Sequence, residues 1–311
     1  MKNLFKKIYI FGHKNPDTDS VASSISLSYL KNKLGYSSEP KILGKLNNET
    51  KFILKKFNIP SPDIIESIDD NINVILVDHN ELSQSLDGLN KDKIVEIIDH
   101  HKVNINLNNP INIITISTGS TCTIISMLYH YYNINIPKNI CWLLLCGIIS
   151  DTLLLKSPTS TDLDSKEVKF IQEKLKITNK DIYNFSMEMF NEGSNIDNYS
   201  LEDLINSDFK ELEINNKKVG ISQILTTNVS SIINYKKDFI NYITKDKIKN
   251  KYYLYFIVIT DIINEGSYIF FDNDKKVIFD KIFELNCNQG IFIKGLVSRK
   301  KQIIPKLSQI I

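Results

Sequence analysis

IYIFGHKNPDTDS (residues 8–20) carries a short apolar run, Ile8 to Phe11, straight into a polar loop that holds His13, Asp17 and Asp19. The same pattern recurs twice. NVILV (Asn73–Val77) runs into Asp78-His79-Asn80-Glu81, and IVEII (94–98) runs into Asp99-His100-His101. A further apolar run, GIIS (147–150), ends in Asp151. The apolar segments are short and β-rich, and the polar turns after them lead into helical patterns at 20–34 and 122–132. The run 140–149 is apolar all round, so periodicity alone does not separate helix from strand there. Strands alternating with helices predict βαβ units and a mainly parallel sheet. In such sheets the carboxyl ends of the strands line the ligand crevice. Four of the chain's five histidines and a set of aspartates therefore point to one place.

Working outward, the 311 residues are enough for two domains. The texture changes after NEGSNIDN (191–198), which reads as a linker between a domain at 1–190 and a smaller one at 199–311. In the second, strand patterns at 219–225, 252–259, 267–271, 277–279 and 291–297 accompany helical patterns at 228–241 and 274–284. The aromatic-rich run YYLYFIVI (252–259) reads as a central strand rather than a base-stacking surface. The expected fold is thus α/β, a parallel-sheet N-terminal domain followed by a smaller mixed α/β domain.

Composition narrows the function classes. With 42% hydrophobic and 24% charged residues the chain is a soluble globular protein and not a disordered one. Its 38 basic and 36 acidic side chains nearly cancel, which argues against a nucleic-acid-coating surface. Arg299 is the only arginine. The four cysteines (Cys122, Cys141, Cys146, Cys287) show no metal-binding or C-x-x-C spacing, which fits a reducing, cytoplasmic setting. The apolar stretch after the basic N-terminus is too short for a signal peptide, and the longest apolar run is about half a membrane span. No membrane association is expected.

An aspartate after a strand is commonly a helix cap or turn former, and a lone histidine is more often packed than ligating. Four such endings converging on one crevice weigh against each of these readings. Several carboxylates cannot share a pocket ionised without compensating cations. Mixed carboxylate and imidazole donors suit Mn²⁺, Fe²⁺, Co²⁺ or Zn²⁺, and their number exceeds what one ion needs. A two-metal site follows, of the kind that serves phosphoryl hydrolysis, with a bridging water as nucleophile.

HKNPDTDS, DHNE, IDHH and GIISDTLLLKSPT resemble the signature segments of the DHH phosphoesterase superfamily, and within it most closely the manganese-dependent, family II inorganic pyrophosphatases. The resemblance runs the whole chain, including SDFKEL around Lys210 and LVSRKKQIIP around Arg299. It implies an active site in the cleft between the domains, with residues 191–198 as the hinge. One Mn²⁺ would be held by His13, Asp17, Asp78 and Asp151, the other by Asp19, His100, Asp78 and Asp151, so that Asp78 and Asp151 bridge. His101 would hydrogen-bond the substrate and protonate the leaving phosphate. Lys210, Arg299 and Lys300 would bind phosphate oxygens, with Asp99, His79, Asn15 and Asn80 supporting the ligands. The resemblance also implies Co²⁺ or Mg²⁺ as substitutes, an additional Mg²⁺ arriving with pyrophosphate, and a homodimer formed through the first domain. The competing expectations are a DHH-type exopolyphosphatase, an oligonucleotide phosphodiesterase, or a non-catalytic phosphate-sensing module. The glycine-rich, histidine-ending C-terminal motif of the oligonucleotide-cleaving relatives is absent, and exopolyphosphatase-like relatives typically lack the histidine at position 13.

Overall fold

The computed structural model describes residues 6–194 and 200–311. The chain divides into two compact units, Met1–Met189 and Phe190–Ile311. The expected linker 191–198 begins in the last turn of a helix that runs to Gly193, and its residues 195–198 lie outside the described residues.

In the first unit the strands are β1 (Ile8–Phe11), β2 (Ser38–Ile42), β3 (Asp63–Ile64), β4 (Asn73–Val77), β5 (Ile94–Asp99) and β6 (Asn112–Thr115). The helices are α1 (Thr18–Lys33), α2 (Asn48–Lys56), α3 (Thr121–Tyr131), α4 (Lys138–Thr152), α5 (Asp162–Leu175) and α6 (Asn179–Gly193). The strands pair in the order β3-β2-β1-β4-β5-β6, and every pairing is parallel. Chain order reverses direction between β1 and β4, the switch point at which open α/β sheets bind ligands. NVILV, the whole of β4, is buried, as a strand covered on both faces must be.

The ambiguous run 140–149 is helical, within α4, so Asp151 lies in the last turn of a helix and not at a strand end. α1 packs on α3 and α4 with a run of small polar side chains, Ser23, Ser24, Ser26 and Ser28, all buried. Three of these hydroxyls have partners: Ser23 Oγ lies 3.3 Å from Cys122 Sγ on α3, Ser24 Oγ donates to Val21 O at 2.9 Å, and Ser28 Oγ lies 3.1 Å from Ser38 Oγ on β2. Small size permits close approach here, and bonded hydroxyls lower the cost of burial.

The second unit is built on β7 (Phe209–Ile214), β8 (Lys217–Thr226), β9 (Leu254–Asp261), β10 (Gly266–Phe271) and β11 (Ile291–Lys294). Its helices are α7 (Leu201–Asn206), α8 (Val229–Ile233), α9 (Lys236–Lys249), α10 (Lys276–Phe283) and α11 (Ile304–Ile310). The order is β11-β10-β9-β8-β7, with β8 and β9 parallel and the other neighbours antiparallel. The expected central strand is β9, buried along its length. Leu254, Phe256 and Val258 enter one hydrophobic cluster while Tyr255, Ile257 and Ile259 enter another, the period-two alternation of a strand with a core on each face.

Three expectations are corrected. Residues 277–279 lie inside α10 rather than in a strand, because a three-residue apolar run, Val-Ile-Phe, does not outweigh the amphipathic pattern around it. The strand expected at 291–297 stops at Lys294, where Gly295 turns the chain with φ 78°. The helix expected at 228–241 is two helices, α8 and α9. All four cysteines are free and buried. Among the described residues no helix is long and apolar enough to cross a membrane.

Candidate metal centre

β1 delivers the first group of side chains. Gly12 follows it, and a Cβ there would lie 1.8 Å from Ser20 Oγ, so only glycine lets the first turn of α1 fold back against the strand end. Asp17 then serves two purposes. Its Oδ1 caps α1 by accepting from Ser20 N at 2.9 Å, and its Oδ2 lies 3.3 Å from His13 Nε2. One oxygen of this aspartate thus caps the helix while the other stands beside His13.

β4 delivers Asp78, 2% exposed, in a left-handed conformation with φ 59°. That conformation is uncommon for a side-chain-bearing residue and is a recurrent mark of functional sites. Asp78 N donates to Ile98 O at 3.0 Å, which ties the turn to the neighbouring strand. The two carboxylate oxygens face different imidazoles: Oδ2 is 3.4 Å from His13 Nε2, and Oδ1 is 3.4 Å from His100 Nε2. Thr121 Oγ1 donates to Oδ1 at 3.0 Å.

β5 delivers Asp99, His100 and His101. His100 Nδ1 lies 3.0 Å from Thr118 O, a contact that requires the proton on Nδ1 and leaves Nε2 as the lone-pair atom facing Asp78 and Asp151. Asp151 Oδ2 is 3.4 Å from that Nε2. His101 Nδ1 is 2.8 Å from Asp99 Oδ1, and Asn80 Nδ2 donates to Asp99 Oδ2 at 2.6 Å. Asp99, itself held by Asn80, thus bonds to His101 and not to one of the expected ligands His13 and His100. His79 is held by its own strand through Val77 O at 2.9 Å, and Asn15 is exposed.

Asp19, fully buried, meets the start of α3. Ser120 Oγ donates to its Oδ1 at 2.6 Å, Thr121 N to its Oδ2 at 2.7 Å and Cys122 N to its Oδ1 at 3.0 Å. The turn 118–121 therefore cradles an anion at a helix N-terminus, and that anion is the chain's own aspartate.

Among the described residues three sets of side chains have donor atoms mutually within 4.8 Å: His13, Asp17 and Asp78; Asp19, Asp78, His100 and Asp151; and Asp78, His100 and His101. Asp78 is common to all three. Asp151 belongs to the set around His100 and not to the one around His13, so only Asp78 occupies the shared position of the two main sets. The imidazole–carboxylate separations of 3.3–3.4 Å exceed the roughly 2.7–2.9 Å of a charge-assisted hydrogen bond. These are long ion pairs, with the donor atoms of each set turned toward one another. Oxygen and imidazole donors without thiolate fit a hard or borderline divalent cation, Mn²⁺ among them.

The local field is strongly negative. Burial opposes a charge on His13, yet Asp17 and Asp78 lift it to about 10. Burial, followed by the charge of Asp78, pushes Asp19 up to about 7. Burial also works against Asp78, but its contacts with His100 and His13 hold it well below the usual carboxylate range. His79, by contrast, is pushed down to about 4 by burial and stays neutral.

Glu49 gave no signal in the sequence. It is buried at the start of α2 and accepts from Thr18 Oγ1 at 2.5 Å and Ser150 Oγ at 2.6 Å. It thereby ties the residue between Asp17 and Asp19 to the residue before Asp151, and burial pushes its carboxyl up. Asn47 caps α2 just before it, and a cap says nothing about a distant site.

In the second unit, Lys210 stands on β7 opposite Ile221, half-buried. Arg299 is 6% exposed. Its Nη1 donates to Asp208 O at 2.9 Å and Ile221 O at 3.1 Å, and its Nη2 to Asp208 Oδ1 at 2.8 Å. Two of its five donors, Nε–H and one Nη2–H, are uncommitted among the described residues. With the strand ended at Lys294 rather than at 297, Arg299 opens a wide helical turn, Arg299–Ile303, and Lys300 is exposed.

Comparison with known proteins gives consistent matches. The model of the DHH family N-terminal domain matches residues 7–148, and that of the DHHA2 domain matches 187–310. The manganese-dependent inorganic pyrophosphatase of Methanocaldococcus jannaschii is 41% identical over 311 residues, covering 97% of this chain and 98% of that protein. A Clostridium acetobutylicum protein named as a manganese-dependent inorganic pyrophosphatase is 39% identical over 306 residues, covering 98% of each. A crystal structure from Methanococcus jannaschii, described as that of a family II inorganic pyrophosphatase, superposes with a TM-score of 0.85 at 39% identity, covering 97% of this chain and 99% of that one.

Proposed function

We propose that this chain, which belongs to the family of manganese-dependent inorganic pyrophosphatases with a DHH and a DHHA2 domain, hydrolyses inorganic pyrophosphate to two phosphates. The observation that carries the reading is the meeting of two oxygen and imidazole donor sets on the two oxygens of Asp78. His13, Asp17 and Asp78 would hold one Mn²⁺, and Asp19, Asp78, His100 and Asp151 the other. When bound, divalent ions held by these residues would supply Lewis acidity toward phosphoryl oxygens and would lower the pKa of a water.

The chain's own groups do the rest. Asp17, Asp19, Asp78 and Asp151 bring four negative charges, which two divalent cations balance, so the substrate's charge is left for other groups. His101, anchored through Nδ1 by Asp99, offers its other ring nitrogen to a phosphate oxygen and delivers a proton to the leaving phosphate. Lys210 and Lys300 serve as point charges, and Arg299 offers its two uncommitted donors. Asp208 and the backbone carbonyls fix the guanidinium plane, so little entropy is lost when a phosphate oxygen binds. Family membership further supports a homodimer through the first unit and a Mg²⁺ entering with the substrate. Buried free cysteines are in keeping with a reducing cytoplasm.

Turnover on pyrophosphate, tripolyphosphate and a dinucleotide, measured after removing metal and restoring Mn²⁺, tests the reading. Pyrophosphate should be strongly preferred and activity should require the cation. Preference for either of the other substrates would assign an exopolyphosphatase or phosphodiesterase instead. Absence of hydrolysis with Mn²⁺ restored would leave a phosphate-sensing module.

A further inference from the structure

We propose that Asp164 is a positioning residue for the metal centre, orienting Asp19, Asp78 and His100 through the turn 118–122 while touching none of them. The inference rests on the reading of those three as metal ligands. Asp164 is 0% exposed and stands in the first turn of α5. Its carboxylate is shared between two tasks. In the first, Oδ2 accepts from Thr161 N and Thr161 Oγ1, both at 2.7 Å, which is ordinary capping of its own helix. In the second, Oδ2 accepts from Gly119 N at 2.8 Å and Oδ1 from Thr123 Oγ1 at 2.6 Å, grasping the start of α3. Gly119 is pressed close, since a Cβ there would meet Thr152 Cγ2 at 2.5 Å and Asp164 Oδ2 at 2.9 Å.

The grasped turn is the one that supports the ligands. Thr118 O takes the Nδ1 proton of His100 at 3.0 Å. Ser120 Oγ and the amides of Thr121 and Cys122 hold Asp19 at 2.6–3.0 Å. Thr121 Oγ1 donates to Asp78 Oδ1 at 3.0 Å. A shift of this backbone moves three side chains together. Asp164 is bonded to Gly119 within the segment that makes these contacts and to Thr123 immediately after it.

The chain contains its own control. At the start of α6, Asp181 Oδ2 accepts from Thr178 N at 2.8 Å and Thr178 Oγ1 at 2.7 Å, the same local bonds made by an exposed carboxylate. Among the described residues Asp181 makes no bond to the 118–122 turn. Asp164→Ala and Asp181→Ala both remove a helix-capping carboxylate, and only the first releases the turn.

The test is Mn²⁺ titration by calorimetry of the full chain, with thermal unfolding of each variant alongside. Asp164→Ala should weaken Mn²⁺ binding by about tenfold or more, in the range seen when groups supporting metal ligands are removed. Asp181→Ala should lower the unfolding temperature and leave Mn²⁺ affinity at the wild-type value. Asp164→Asn should bind within about threefold of wild type, because its carbonyl keeps the three Oδ2 bonds and its amide can donate to the Thr123 hydroxyl. Wild-type affinity in Asp164→Ala would overturn the proposal. If that variant does not fold, Thr123→Val releases the α3 side of the carboxylate alone: about a threefold loss of affinity supports the proposal, and none overturns it. Asp78→Ala, titrated in parallel, separates the two levels. Should it bind Mn²⁺ like wild type, the ligand assignment itself is wrong and the role of Asp164 falls with it.

Discussion

The first unit gathers carboxylates and imidazoles at the ends of three parallel strands and one helix, and nearly every one is fixed by a second bond to a turn or a helix start. The second unit carries its three candidate phosphate-binding cations differently. Lys210 is half-buried on a strand, Lys300 is exposed, and Arg299 is buried and held by Asp208 and two backbone carbonyls. The difference follows from what each group must do. Donors for a cation have to stand close together against mutual repulsion, which requires burial and many anchoring bonds. Cations for a mobile anion work at longer range and lose little by remaining solvated, except where a planar fork must be aimed.

The largest effect expected is on Asp78. Asp78→Ala should abolish Mn²⁺ binding in both donor sets and lower turnover by on the order of 10⁴-fold, read by calorimetry and phosphate release. Retained activity would break the comparison at its centre. Arg299→Lys should lower kcat/KM for pyrophosphate by about 100-fold while Mn²⁺ affinity stays unchanged. Altered metal binding there would mean that the two units do not divide the work as described. Glu49→Ala should cost about tenfold in Mn²⁺ affinity, because it removes the one oxygen, Oε1, to which Thr18 and Ser150 both donate, and so loosens the tie between ligands on α1 and α4.

The smallest effect is a pH dependence. Asp19 is pushed up to about 7 in the metal-free chain, so below that pH a cation must displace its proton. Affinity should therefore fall as pH drops, by about fivefold between pH 7 and pH 6 for that one group. Proton release on Mn²⁺ binding, followed in buffers of different ionisation enthalpy, would sharpen this value.

The parallel sheet was legible because β1, β4 and β5 are apolar runs that end abruptly in polar turns. β2 was not, since SEPKI holds a proline and two charged residues. It is accommodated because Pro40 sits beside Ile10 and Lys41 is paired with Asp63 at 2.7 Å. Those are tertiary solutions that no local pattern announces. The ligand candidates were legible as residue types following strands, and Asp151 was found although its run proved helical. The supports were not. Glu49 and Asp208 make their bonds to residues distant in sequence, and an isolated acidic residue carries no sign of its partner. Asp164 left one faint trace, the Thr161-x-x-Asp164 spacing of a capping box, which accounts for its local bonds and not for its reach to Gly119.

Asp17 caps a helix with one oxygen and Asp19 sits on a helix N-terminus, while His100 is held by a carbonyl and Asp78 by a hydroxyl. Each is anchored to protein before any ion arrives. Chelators unfold a zinc finger because the ion is its core. This scaffold should instead survive stripping and take its ions back. The abundance of a trace cation would then act as a dial on the standing pool of enzyme, turning it down without sending it to the proteases and up again without new synthesis.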